Sequence, residues 1–363
     1  MNDEKIYELW LAMVDGLGPV KLAHIRNACV SAREVFFMKE ELVEKIYGLE
    51  QTDVESILNS RRGCDPAAEY EAMIRSGVRM ILQEEEEYPA SLRQIKDPPA
   101  QLFVRGRLPD QRRPRVAVVG ARECSEYGKA MAKTIGETLA RSGVQVISGM
   151  AKGVDSYAHL GALRAERDTY AVLGCGVSIC YPASSKSLYE ELPEKGGVLS
   201  EYPPKVKPHP GSFPVRNRII SGLSDAVVVV EARVRSGSLI TADHALTQGK
   251  EVYALPGRII DPLSGGTNRL IAQGAFPVIS MEDLLKNLRL SLASYENRED
   301  KSPPALPEKE AKVYRRLSLF PKGLEELLAE TKYPLPELSK ILIRLASSGF
   351  CEESFKNSWR RKI

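Results

Sequence analysis

The stretch FPVRNRIISGLSDAVVVVE, residues 213–231, runs from a helix into a strand and decides how the chain is read. Pro214 suits the first turn of a helix, where an N–H has no intrahelical partner anyway, and VRNRIISGLS continues that helix. DAVVVVE follows as a short β-branched run without polar alternation, which predicts a strand covered on both faces. The runs RVAVVGA, VQVISGM, TYAVLGC, GVLSEYP, EVYALPG and FPVIS share that character. Helical segments separate them across roughly 114–287, so the predicted fold class is α/β, a doubly wound parallel sheet.

The same stretch carries a charge problem. From Tyr202 to Ser224 there is no aspartate or glutamate, while Lys205, Lys207, His209, Arg216 and Arg218 all fall inside that window. Both arginines lie near the positive end of the predicted helix, where cations are disfavoured. An external polyanion would resolve this, with Arg216 and Arg218 meeting phosphates and Asn217 offering a donor and an acceptor. Phe213 adds an aromatic ring amid cations, the combination that a single-stranded nucleic acid needs for stacking and charge. Two plainer readings stay open: Phe213 as core, and the arginines paired with distant carboxylates.

In an open parallel sheet the ligand crevice lies beyond the carboxyl ends of the strands. Those ends read Gly120-Ala121-Arg122, Ser148-Gly149 running on to Lys152-Gly153, and Gly174-Cys175-Gly176. Glycine turns are ordinary in such folds, but their accumulation beside Arg122 and Lys152 tilts the crest toward an anion site. Ser236-Gly237-Ser238 opens another helix, as a phosphate cradle or a simple N-cap. No turn matches a dinucleotide or Walker fingerprint, so no nucleotide cofactor is expected. Asp155 and His159 lie four apart on one helical face; with no third ligand in view, packing is expected and no metal. No nucleophile–base–acid set emerges, and no catalytic residue is predicted.

The flanks differ in pattern. Residues 1–75 read as short helices, with a Gly-x-Gly turn in DGLGPVK that is either a helix-hairpin-helix or a mere turn. A polar, proline-containing linker is predicted over 291–307, leaving 76–290 as the sheet domain. Residues 308–363 read as three helices and a β-like end, the order of a winged helix. A net charge of +3 over 363 residues means that an anionic partner must be met by a local patch. Six scattered cysteines without a C-x-x-C pair argue for a reducing compartment. The acidic start lacks the order of a signal peptide and no apolar run approaches a membrane span, so a cytoplasmic protein is expected.

The ordered motifs VVGARECSEYG, ISGMAKGVDSYAH, AVLGCGVSICYP, LSEYPP, FPVRNRIISGLSDAVVVVEARVRSGSLITADHAL and VYALPG with SGGTNRLIAQGA resemble the DNA-processing protein A family (DprA, also called Smf). The resemblance covers about 80–290. It implies an extended Rossmann-like domain flanked by a small N-terminal helical domain and a C-terminal winged helix. It also implies a homodimeric single-stranded DNA binder that protects DNA and loads the RecA recombinase in natural transformation, with a single-stranded DNA-binding protein as a further candidate partner. Carried over by motif, the DNA-contacting set is Arg122, Ser148, Gly149, Phe213, Asn217 and Arg218, with Ser236 and Gly237 secondary; Lys152, Lys186 and Arg216 complete the candidates. Gly120-Ala121-Arg122 stands where relatives have Gly-Ser-Arg, losing a hydroxyl and keeping the charge. The rival is a lysine-decarboxylase-like nucleotide hydrolase, but Ser264-Gly265-Gly266-Thr267-Asn268 lacks that family's glutamate in register.

Overall fold

A computed structural model describes residues 3–29, 31–288, 306–317, 322–355 and 357–361. The chain opens with helices α1 (Asp3–Met13), α2 (Pro19–Ala28), α3 (Ala32–Phe37), α4 (Glu40–Val43), α5 (Gln51–Gly63) and α6 (Pro66–Arg75). Trp10, Ile25, Val35, Val54 and Ile57 form their shared core. Leu9 of α1 and Met73 of α6 face a different cluster, with Val78 and Phe103, which fixes these helices to the edge of the sheet. In the DGLGPVK turn, Lys21 is paired with Asp53 at 2.7 Å.

The sheet follows: β1 (Val78–Leu82), β2 (Gln101–Gly106), β3 (Arg115–Val119), β4 (Gln145–Ser148), β5 (Thr169–Val172), β6 (Gly197–Ser200), β7 (Ala226–Val229), β8 (Glu251–Ala254) and β9 (Phe276–Pro277). Their spatial order is β1-β2-β6-β5-β4-β3-β7-β8-β9. The strands from β6 to β9 are all parallel, while β1 and β2 extend the β6 edge in antiparallel fashion. All seven unalternating runs are therefore strands of one parallel sheet. The chain steps from β3 out to β6 and then returns to the other side of β3 with β7, so the topological switch point lies between β3 and β7.

Why these strands lack alternation is visible in β3. Val116 and Val118 face α8 (Glu126–Arg141) and α9 (Val154–Arg164), packing on Ile135, Leu139 and Ala158. Ala117 and Val119 face the opposite layer, with Ile219, Ile220 and Leu223 of α11 (Ser212–Leu223) and Ala242 and Ala245 of α12 (Gly237–Thr247). Both faces are dry, so the positions from Val116 to Val119 are all apolar. Between these helices lie α7 (Ala90–Arg93) and α10 (Lys186–Lys195), and after them α13 (Gly265–Ala272) and α14 (Met281–Asn287).

The C-terminal residues form α15 (Glu308–Arg316), β10 (Lys322–Gly323), α16 (Leu324–Thr331), α17 (Leu335–Ser347), β11 (Cys351–Phe355) and β12 (Ser358–Arg361). The strands make an antiparallel sheet ordered β10-β12-β11, around a core that includes Val313, Leu327, Leu338, Leu342 and Leu345. Trp359 and Arg360 lie within β12, and Arg360 Nε donates to Glu352 at 2.8 Å. The linker predicted over 291–307 lies almost wholly outside the described residues.

α8 and α9 approach so closely that neither tolerates a side chain at the crossing. A Cβ on Gly136 would sit 2.2 Å from the Ala158 carbonyl oxygen, and one on Gly161 2.1 Å from that of Lys133. Gly136→Ala should therefore lower stability by roughly 1–3 kcal/mol, because backbone must move to admit the methyl group. Urea denaturation checks this; an unchanged midpoint would show that the two helices separate without cost.

Candidate nucleic-acid interface

Two adjoining cavities, of about 250 and 470 Å³, open at the carboxyl ends of the strands and straddle the switch point. Both are lined by Arg122, Glu123, Ala151, Phe213 and Arg216, so they form one trough. The first arm reaches Lys152, Gly174, Cys175, Tyr181 and Pro182. The second reaches Asn217, Arg233, Arg235, Ser236 and Gly237. Five cationic residues (Arg122, Lys152, Arg216, Arg233, Arg235) thus face two acids, Glu123 and Asp155, and Asp155 is buried. The trough is cationic.

Phe213 supplies its aromatic centre. The Arg122 guanidinium carbon lies 5.2 Å from the Phe213 ring centroid. The Tyr181 ring stacks on Phe213 at 5.3 Å with an interplanar angle of 26°. Tyr181 precedes a cis peptide to Pro182, and its loop is tied to α11 by Ser212, whose hydroxyl donates to the Gly174 carbonyl. An arginine and two rings are therefore fixed together before any ligand arrives.

The two arginines of the opening stretch behave differently from the expectation that they meet phosphates. Arg218 is buried and its guanidinium is held by Glu201, with Nη2–Oε2 at 2.7 Å and Nη1–Oε1 at 3.3 Å. Glu201 is the residue just before the acid-free window begins, so the nearest carboxylate was missed by one position. Arg216 is also buried and donates through Nη1 to the carbonyls of Gly149, at 2.9 Å, and Val172. Burial pulls its pKa down to about 10, with Asp155 pulling it back up, so the guanidinium stays charged at neutral pH. It lines the floor of the trough as a fixed positive charge, bonded to the protein's own backbone.

Ser148 corrects a further expectation. It is fully buried, and its hydroxyl donates to the Val118 carbonyl at 2.6 Å, so it offers nothing to a ligand. Gly149 is needed for packing: an added Cβ would lie 2.7 Å from both Arg216 Nη2 and Asp155 Oδ2. Asn217 donates to the Gly237 carbonyl at 3.1 Å and accepts from Arg216 Nε at 3.2 Å, joining α11 to the start of α12. Ser236 caps α12 by accepting from the Ser238 amide, which is the simple N-cap reading. Lys186 is exposed beside Glu190 at 3.9 Å and is not among the residues that line the trough. Of the eleven candidates, Arg122, Gly149, Lys152, Phe213, Arg216, Asn217, Ser236 and Gly237 come together at the trough; Ser148, Lys186 and Arg218 do not. Tyr181, Arg233 and Arg235 join them without having been singled out. Their signal was available in the strand-end loops GCGVSICYP and EARVRSGS, which flank the same crest.

The helix start beside the switch point holds a carboxylate. Glu231, at the end of β7, accepts from the Ser125 amide at 2.8 Å and from the Ser125 hydroxyl. Ser125 in turn accepts from the Gly128 amide at 3.0 Å. Thus a carboxylate of the protein sits at the N-cap of α8, beside the first turn where a Rossmann dinucleotide site seats a pyrophosphate. His159 is core: its Nδ1 sits 2.8 Å from the Thr169 hydroxyl, which itself donates to Val146, so Nδ1 is the donor. Among the described residues, no group of three or more His, Cys, Asp or Glu is placed to hold a metal, and no helix is long and apolar enough to cross a membrane.

The profile of DNA recombination-mediator protein A matches residues 79–289. DNA processing protein DprA of Bacillus subtilis is 40% identical over 213 residues, 58% of this chain and 72% of that protein. The X-ray structure of DprA from Streptococcus pneumoniae superimposes with a TM-score of 0.66 at 34% identity, covering 77% of this chain and 97% of that one. A structure of DprA from Helicobacter pylori, described as showing a unique single-stranded DNA binding mode, gives a TM-score of 0.53 at 31% identity, over 58% and 95% of the two chains.

Arg218→Ala should destabilise the fold by roughly 3–5 kcal/mol, since Glu201 is left charged and buried without a partner. Chemical denaturation reads this directly, and a full loss of ligand binding with no loss of stability would return Arg218 to the binding surface. Burial lowers the His159 pKa from 6.5 to about 3. Between those values the unfolded chain binds the extra proton, so stability should fall as pH drops from 6.5 toward 3. His159→Gln should flatten that part of the stability–pH curve, as followed by thermal melts.

Proposed function

The chain belongs to the DNA recombination-mediator protein A family, and on that premise we propose that it binds single-stranded DNA without sequence preference and without turnover. In this reading it protects the strand and loads the RecA recombinase onto it in natural transformation or recombination. It acts as a cytoplasmic homodimer, with a single-stranded DNA-binding protein as a further partner. Residues 76–290 form the DNA-binding domain, 1–75 the N-terminal helical domain and 308–363 a winged helix.

One observation carries the proposal: a cationic trough whose centre is an arginine and two stacked rings. Phosphates are attracted by the exposed Arg122, Lys152, Arg233 and Arg235, and bases by Phe213 and Tyr181, which favour no base in particular. The binding mode named for the Helicobacter pylori protein supports the same ligand. The carboxylate at the start of α8 weighs against the hydrolase alternative, since a mononucleotide phosphate would meet Glu231 there.

Arg122→Ala should weaken binding to oligothymidylate roughly tenfold and reduce the slope of log K against log salt by about one. Phe213→Ala should lose about 1–3 kcal/mol of binding with the salt slope retained, because stacking releases no counterions. Fluorescence anisotropy over a salt series, with single- and double-stranded oligonucleotides, measures both. Affinity and slope unchanged in Arg122→Ala would remove the trough as the DNA site.

A further inference from the structure

The loop between β8 and α13 ends in a tight turn with an unusual tip. The Asp261 amide donates to the Arg258 carbonyl at 3.0 Å, which places Ile259 and Ile260 at the two corner positions. Their exposures are 94% and 84%. Corner positions of such turns favour proline, glycine and short polar residues, and two β-branched apolar side chains there gain nothing from the fold. Nor is the loop slack. Asn268 bonds both backbone groups of Gly257, at 3.1 and 3.0 Å, and Asp261 Oδ1 accepts from the Leu263 amide at 2.9 Å. The turn is built to hold two isoleucines in water.

This loop adjoins the second arm of the trough. Leu263 lines that arm, and its carbonyl accepts from the Ala232 amide at 2.7 Å. The Gly266 amide donates back to the Ala232 carbonyl at 2.7 Å. Val234, half exposed, lies 3.1 Å from the Cβ position of Gly265. The segment from Arg233 to Arg235, with both arginines exposed, therefore packs on the stretch Leu263 to Gly266 that directly follows the isoleucine turn. Resting on the single-stranded DNA reading of the trough, we infer that Ile259, Ile260 and Val234 form an additional base-binding subsite, on which nucleotides leaving the trough past Arg233 and Arg235 lay their faces. Aliphatic side chains contact bases whenever these are unpaired or unstacked, and the neighbouring guanidinium groups hold the phosphates. A second copy of the chain fits less well, since a twofold contact at this patch would bring the same arginines together.

The test compares oligothymidylates of about six and about twenty nucleotides, the shorter filling the trough alone. Ile259→Ser with Ile260→Ser keeps turn-compatible residues at exposed positions, so the melting temperature should stay at the wild-type value. The double variant should bind the long strand roughly tenfold more weakly and the short strand as wild type does, in line with the apolar area lost. Long-strand affinity equal to wild type overturns the subsite and leaves the trough standing. A changed molecular mass in light scattering, with DNA binding intact, also overturns it and assigns the turn to self-association. If the wild-type protein binds neither strand, the reading of the trough itself fails.

Discussion

Everything at the crest depends on one buried guanidinium. Arg216 leaves the first turns of α11, crosses beneath Gly149 and donates to the carbonyls that end β4 and β5. A charge so placed is costly unless it is bonded, and here strand-end carbonyls, with Asp155 across Gly149, supply the partners. The consequence is positional. α11 is held against the strand ends, and the residue three before Arg216, Phe213, is thereby set beside Arg122 and Tyr181. The Arg218–Glu201 pair secures the same helix two residues further along, on another face. Two buried arginines thus determine where Phe213 stands beside Arg122 and Tyr181.

Much of the fold was legible because burial on both faces leaves a plain mark. The parallel strands from β3 to β8 are short, mostly apolar and buried runs without polar alternation, the exposed β9 (Phe276–Pro277) closes the edge, and AQLFVRG became β2. β1, the run VRMIL, was not legible: its burial alternates only at Arg79, and it adjoins the acidic run Glu84–Glu87, which reads as loop. The acid-free window led to the trough through Phe213, Arg216 and Asn217, but Arg218 inside it is paired with Glu201. Net charge along a sequence cannot report a partner that arrives from the end of another strand, and Glu201 arrives that way. The exposed cations of the trough came instead from loops after β3, β4 and β7, where no periodicity marks them.

The site was half legible for a related reason. A glycine at a strand end serves equally for a ligand's approach and for a buried side chain, and Gly149 serves Arg216. A serine there serves as donor to ligand or to backbone, and Ser148 turns inward to Val118. Sequence names the crest; only the packing beneath it says which groups are already spoken for.

Glu231 has a bearing on selectivity. A cell holds abundant free nucleotides, each with a compact cluster of negative charge suited to the mouth of a Rossmann helix. Here that mouth carries a resident carboxylate, so such molecules meet like charge where their tight binding would normally begin. A polymer spreads its charge along its length and can engage the separate cations of the trough without entering that corner. On the proposed single-stranded DNA reading, a single acid of the scaffold thus disfavours monomers at that corner.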